Sequence, residues 1–290
     1  MIMPGVSSYS FQRLINSKEY NQIQLIKLAK ELGFAGIEFA ELFPHNNEKK
    51  ETYAMRLREE AERLDMPILN YAVSADFLNC KDIEQQIQEL CEHIDIAQIL
   101  GTKLMRHDVS YGFKDRNDKF VGFDEALPTL VKGCKAVTEY GKSKGIFTMT
   151  ENHGIFCQSS ERVLKLIKAV ADDNFGTLTD IGNFLCVDEA PETAVANVAP
   201  FAKYVHVKDF HFKETLAPGE SSDGCFKTYG GHFLKGAVLG EGIVPVKKCL
   251  SILKNSGYSG YVSIEFEGDE DNIPALKKGL ANLQKILETI

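Results

Sequence analysis

Nothing in this 290-residue chain is basic, apolar or cysteine-patterned in the way a nucleic-acid binder, a membrane protein or a disulfide-knit domain would be. Lys and Arg number 33 against 41 Asp and Glu, a formal net charge of −8. Non-specific affinity for a polyanion comes mainly from clustered Lys and Arg, so no nucleic-acid partner is expected. Lysines instead alternate with acids, as in Glu48-Lys49-Lys50-Glu51, the pattern of a solvated helix face. No apolar run approaches the roughly 18 residues a membrane span needs, so no membrane partner is expected either. The opening Met1-Ile2-Met3-Pro4-Gly5 has no basic stretch ahead of an apolar one, which gives a cytoplasmic protein as the expectation. The seven cysteines are scattered without a C-x-x-C pair and read as reduced, mostly buried thiols, with Cys157 and Cys186 close enough to polar stretches to line a pocket. No Gly-rich phosphate fingerprint follows the first apolar stretch, which counts against an open doubly wound sheet.

What is present is a repeated unit: amphipathic helix, glycine, short turn, β-prone run. It occurs around Gly33 before Phe34-Ala35-Gly36-Ile37-Glu38-Phe39, around Gly101 before Lys103-Leu104-Met105-Arg106, around Gly145 before Ile146 to Thr150, and around Gly257 before Gly260 to Ile264. With a first strand over Gly5 to Phe11 and a third over Pro67 to Tyr71, the count is eight strands alternating with eight helices. Right-handed crossovers then dictate a parallel sheet, and eight units close into a (β/α)8 TIM barrel, expected as a single domain over 1–290. Asp82, Asp124 and Ser159 suit N-caps, and Pro245 and Pro274 suit first helical turns. Two spacings are too long for simple connections and imply loops at about 109–123 and 210–243 on the C-terminal face of the strands, where barrel enzymes carry their sites.

Four strands end in polar residues: Thr148-Met149-Thr150-Glu151-Asn152-His153, Leu178-Thr179-Asp180-Ile181-Gly182-Asn183, Tyr204-Val205-His206-Val207-Lys208-Asp209 and Val262-Ser263-Ile264-Glu265-Phe266-Glu267. If the strands lie parallel in one closed sheet, Glu151, Asp180, His206 and Glu265 converge, and carboxylates with one imidazole suit a divalent metal. Hard oxygen ligands favour manganese, magnesium or cobalt, with zinc also compatible. Glu38 and Glu41, after the second strand, are undecided between structural and site roles. Lys208 has two readings, a group reaching substrate or an ion pair with Asp209. Arg106 and His107, ending the fourth strand, are candidates to hold substrate hydroxyls or an anionic group, and His153, Asn183, His211 and His232 are candidates for the same polar role.

These stretches, with Gly240-Glu241-Gly242 and the run Gly257 to Glu265, resemble the xylose-isomerase-like barrel superfamily, in its sugar isomerase and epimerase branch, over essentially the whole chain. The resemblance implies one divalent metal on Glu151, Asp180, His206 and Glu265, with Glu151 and Glu265 doubling as proton-transfer groups. It also implies a small sugar or polyol substrate and leaves a homo-oligomer open; the residues expected to contact that substrate, from their positions in the chain, are Arg106, His107, His153, Asn183, Lys208 and Glu241. The expected chemistry is isomerisation or epimerisation of a sugar or sugar phosphate through an enediolate. A lyase or dehydratase of the inosose-dehydratase kind would share the metal and the proton abstraction but expel a β-hydroxyl. An apurinic-site endonuclease is more remote: that branch has further histidines, one of them where this chain has Asn183.

Overall fold

The computed structural model describes every residue except 45–46, 115–120, 218 and 220. Eight parallel strands close into a barrel: β1 (Ile2–Ser7), β2 (Ile37–Ala40), β3 (Ile68–Val73), β4 (Leu104–His107), β5 (Phe147–Glu151), β6 (Phe175–Asp180), β7 (Ala202–Val207) and β11 (Gly260–Ile264), with β1 sealing against both β2 and β11. The chain therefore has the (β/α)8 architecture. Helices α2 (Gln22–Leu32), α3 (Lys50–Arg63), α4 (Ile83–Leu100), α5 (Phe123–Lys144), α6 (Ser160–Val170), α7 (Pro191–Val198), α8 (Val246–Asn255) and α9 (Asn272–Leu287) cover the outside, preceded by a short α1 (Gln12–Asn16). No helix among the described residues is long and apolar enough to cross a membrane.

The repeated helix-to-strand hinge is built as its glycines suggest. Gly33, Gly101 and Gly145 terminate α2, α4 and α5 in the left-handed region, which an L-residue enters only with strain. Asp82 and Ser159 cap α4 and α6 by accepting the backbone N–H of Glu84 and Arg162. Asp124 does not cap α5: the helix starts one residue earlier, and the Glu125 carboxylate reaches back to the N–H of Gly122.

Three expectations need correction. The first strand stops at Ser7, and Ser8–Phe11 turns into a 3-10 segment that swings Tyr9 over the barrel mouth. The 210–243 stretch is not an unstructured loop. It folds into an antiparallel sheet of β8 (Asp209–Lys213), β10 (Phe233–Ala237) and β9 (Cys225–Lys227), with Leu234 fully buried on it. The alternating apolar residues Phe210, Phe212, Phe226 and Leu234 carried this signal, but the Gly- and Ser-rich connection between them masked it. Of the loop expected over 109–123, residues 115–120 lie outside the described residues, and α5 already begins at Phe123.

Two apolar layers result. The larger lies between barrel and helices; the smaller fills the barrel bore with Leu69, Met149, Leu178 and Tyr204, flanked by Leu104 and Tyr261. On β3 a register shift against β2 sends Tyr71 outward to His93 of α4, but on β4 to β7 side chains alternate faces, so the residue two positions beyond each bore residue also points inward, one layer nearer the C-terminal mouth. That step leads from Met149 to Glu151, from Leu178 to Asp180, from Tyr204 to His206 and from Leu104 to Arg106.

Candidate metal centre and the cavity above it

At the top of the bore Glu151, Asp180, His206 and Glu265 each present one ligand atom, and all four atoms lie within 4.8 Å of one another. His206 Nδ1 is 3.7 Å from Glu151 Oε1, 3.9 Å from Asp180 Oδ2 and 3.6 Å from Glu265 Oε1. Two of these atoms, His206 Nδ1 and Asp180 Oδ2, are buried without any hydrogen-bond partner, although Lys208 Nζ lies 3.5 Å from the latter. Buried polar atoms left unpaired are costly, and a cation accepted by both would remove that cost. The donor set and these two orphaned atoms fit a single divalent ion.

Neighbouring groups hold each ligand in place. His206 Nε2 bonds Glu38 Oε1 at 2.6 Å, and Glu38, wholly buried, also accepts from Asn70 at 3.3 Å. This fixes the tautomer that turns Nδ1 inward as an acceptor. Asp180 Oδ1 accepts the N–H groups of Gly182 and Asn183 at 2.8 and 2.9 Å, and the Asn152 amide clips both backbone groups of Asp180. Glu151 and Glu265 are treated alike. Each turns Oε1 toward His206 and gives Oε2 to a cation, Arg106 at 2.7 Å for Glu151 and Lys208 at 2.6 Å for Glu265.

The charges follow these contacts. Burial pushes the Glu151 carboxyl up, but Arg106 and His206 outweigh it and hold it well below the usual carboxylate range. Glu265 is likewise lowered, with Lys208 and His206 overcoming its burial. Asp180 goes the other way: burial, reinforced by Glu151 and Glu265 against the pull of Lys208, raises it to about 6. Burial lowers Lys208, but Glu265 and Glu267 outweigh it and keep it a cation; burial also lowers His206, the carboxylates around it raise the imidazole, and an ion on Nδ1 would take the place of that proton.

The cavity over the four residues has a volume of about 470 Å³ and is walled by Arg106, Glu151, His153, Lys208, Glu265 and Glu267, among others. Of the other residues singled out in the sequence, Asn183 lies behind Glu151, donating to its Oε1 at 3.1 Å and accepting from Lys208 at 3.2 Å. Lys208 also pairs with Glu267 at 3.0 Å, and not with Asp209. His153 Nδ1 donates to Asp108 Oδ1 at 3.1 Å; burial lowers the imidazole, but the Asp108 bond wins and leaves it raised. His107 does not face the cavity. It alternates with Arg106 to the outer face, packs edge-on against Phe77, and bonds the Asp108 carbonyl at 2.8 Å. Glu241 is also outside, paired with Lys278 of α9, and His211, on β8, and His232, in the turn before β10, are not among the cavity walls. Neither Cys157 nor Cys186 lines the cavity, and burial pushes their thiols up to about 12 and about 11. Sequence reading missed Asp108, which gathers Arg106, Tyr111 and His153, and left Glu38 undecided; a carboxylate directly after a polar strand end was the available signal for the first.

Residues 26–286 match the family model for the xylose isomerase-like TIM barrel. The chain belongs to that family. Inosose dehydratase 2 of Bacillus cereus is 25% identical over 248 residues, spanning 82% of this chain and 79% of that protein. Among solved structures, the IOLI protein with a bound zinc atom superposes at a TM-score of 0.74 with 16% identity, covering 99% of this chain and 98% of that one. L-ribulose 3-epimerase superposes at 0.73 with 17% identity, covering 100% and 95%. By their names, the curated relative is a dehydratase and one of the structural neighbours an epimerase. At these identities the structural likenesses speak for the xylose isomerase-like barrel and not for a particular reaction.

Proposed function

We propose that the protein is a divalent-metal-dependent isomerase or epimerase of a keto-sugar, with Glu151 and Glu265 moving protons on the substrate. The observation that carries this is the matched treatment of the two carboxylates: both keep Oε1 at the centre and both have Oε2 held by a buried cation. A divalent ion held by Glu151, Asp180, His206 and Glu265 would polarise a substrate carbonyl and stabilise charge on its oxygen. The protein supplies the rest. One carboxylate takes the proton from carbon next to the carbonyl; the other returns a proton to the opposite face, or to the neighbouring carbon. Arg106 and Lys208 keep both groups ionised and aimed, and Asn183, bonded to Glu151 and Lys208 at once, ties the two halves together. His153, on the cavity wall and oriented by Asp108, is placed to meet a substrate hydroxyl.

That last placement, with the inosose dehydratase relatives, favours one second reading. A dehydratase would use the same proton abstraction and let His153 protonate a departing β-hydroxyl. The oxygen count of the product, read in heavy water, separates the two. Under the isomerase reading a turned-over ketose gains deuterium next to its carbonyl and keeps all its oxygens; loss of water from an inosose would support the dehydratase. Glu151→Gln or Glu265→Gln should lower turnover by about 10²–10⁴-fold, the range of general acid–base catalysis. Product formed without solvent deuterium would remove both residues as acid and base.

A further inference from the structure

The barrel mouth extends sideways into a second cavity of about 240 Å³, bounded by Arg13, Phe226, Phe266 and Asp269. Tyr9, Gln12 and Glu267 line both cavities, so the outer one is an annex of the site. Tyr9 and Phe226 are each 42% exposed, large rings that the proposed proton transfer does not use; Phe226 keeps that exposure while packing edge-on against buried Phe210, ring centroids 5.8 Å apart. Aromatic faces left open beside a polar cavity suit a second ring stacking on them.

The charge of the cavity limits what that ring can bring. Six carboxylates line the main cavity, from Glu38, Glu41, Asp108, Glu151, Glu265 and Glu267. Its two full cations are committed: Arg106 to Asp108 and Glu151, Lys208 to Glu265 and Glu267. In the annex, Arg13 donates to the carbonyls of Asp269 and Glu270 and to Asn272, and Asp269 is paired with Lys235. Barrel enzymes often hold a phosphate on the loop after the seventh barrel strand. Here the N–H groups of Gly240, Gly242 and Val244 in that loop all donate to Asp209. The arginines and lysine that line the two cavities, Arg13, Arg106 and Lys208, are thus all engaged, and a dianion entering six carboxylates would be repelled even with a divalent ion in place.

We infer that the sugar taken by this site is unphosphorylated and carries, through a glycosidic bond, a second neutral sugar ring that stacks against Tyr9 and Phe226 in the annex. The inference rests on the keto-sugar reading and adds the substrate class to it. Calorimetric titration of the Mn²⁺-loaded protein tests it, using D-fructose, D-fructose 6-phosphate and glucosyl-fructoses linked through O3, O4 or O6. At least one glucosyl-fructose should bind about tenfold more tightly than fructose, the scale of one aromatic stacking contact. Fructose 6-phosphate should bind more weakly than fructose. In Phe226→Ala and Tyr9→Ala the ratio of glucosyl-fructose to fructose affinity should fall toward one. Tightest binding by fructose 6-phosphate, no gain from any glucosyl group, or a ratio unmoved in both variants overturns the inference while leaving the keto-sugar reading standing. Binding by none of the ketoses overturns that reading itself.

Discussion

Glu38 is the residue whose role was hardest to read from the sequence, because its partner His206 lies 168 positions away and only barrel closure brings them to 2.6 Å. Partners outside the metal ligands set imidazole orientation, and their loss typically costs about 10- to 100-fold in metal affinity. Glu38→Ala should show a loss of that size in Mn²⁺ titration while its thermal unfolding remains cooperative; unchanged affinity would mean that the bore alone orients His206. His107 illustrates the opposite case. Strand alternation was available from the start: with Arg106 inward, its neighbour must face the helices. Burial there lowers the His107 imidazole from 6.5 to about 4. The unfolded chain therefore binds a proton between those pH values that the folded chain refuses, so stability is full above about pH 6.5 and falls as the pH drops toward 4. The loss should reach about 3 kcal/mol. Denaturant melts from pH 7 to 4 should show this slope in the wild type and a shallower one in His107→Asn, which retains a donor for the Asp108 carbonyl.

At the level of elements, four barrel strands were legible because their apolar runs end in polar residues, and several others because a helix stopped by glycine precedes them. The β8–β10 sheet was not, since its strands are short and the chain between them reads as turn. Asp209 joins this sheet to the barrel. Its carboxylate accepts the N–H groups of Phe210, Gly240, Gly242 and Val244 at 2.8 to 3.0 Å, which explains why the Gly240-Glu241-Gly242 turn lies where it does and why Glu241 points out. Asp209→Ala would leave those donors without their acceptor, at a cost of about 3 kcal/mol after partial rescue by water. Chemical denaturation should register that loss, and protease should cut the 238–244 stretch faster than in the wild type. A variant as stable and as resistant as the parent would show that the turn is held by something else.

At the scale of the whole molecule, the acidic balance and the carboxylate-lined mouth belong together. A surface of net charge −8 has little to offer a phosphate backbone, so duplex DNA containing an abasic site should be neither bound nor cut at physiological salt. Specific incision at nanomolar protein would contradict this. Convergence of the four strand ends could be anticipated from the sequence once eight repeating units were counted; the cations that hold Glu151 and Glu265, and the annex beside Tyr9, needed the closed barrel. The central claim is that Glu151, Asp180, His206 and Glu265 form one divalent-metal centre, and a metal count tests it most directly. After loading with Mn²⁺ and exhaustive dialysis, elemental analysis should find one ion per wild-type chain and almost none in the folded Glu151→Ala, Asp180→Ala double variant. Full occupancy in that double variant would contradict the account.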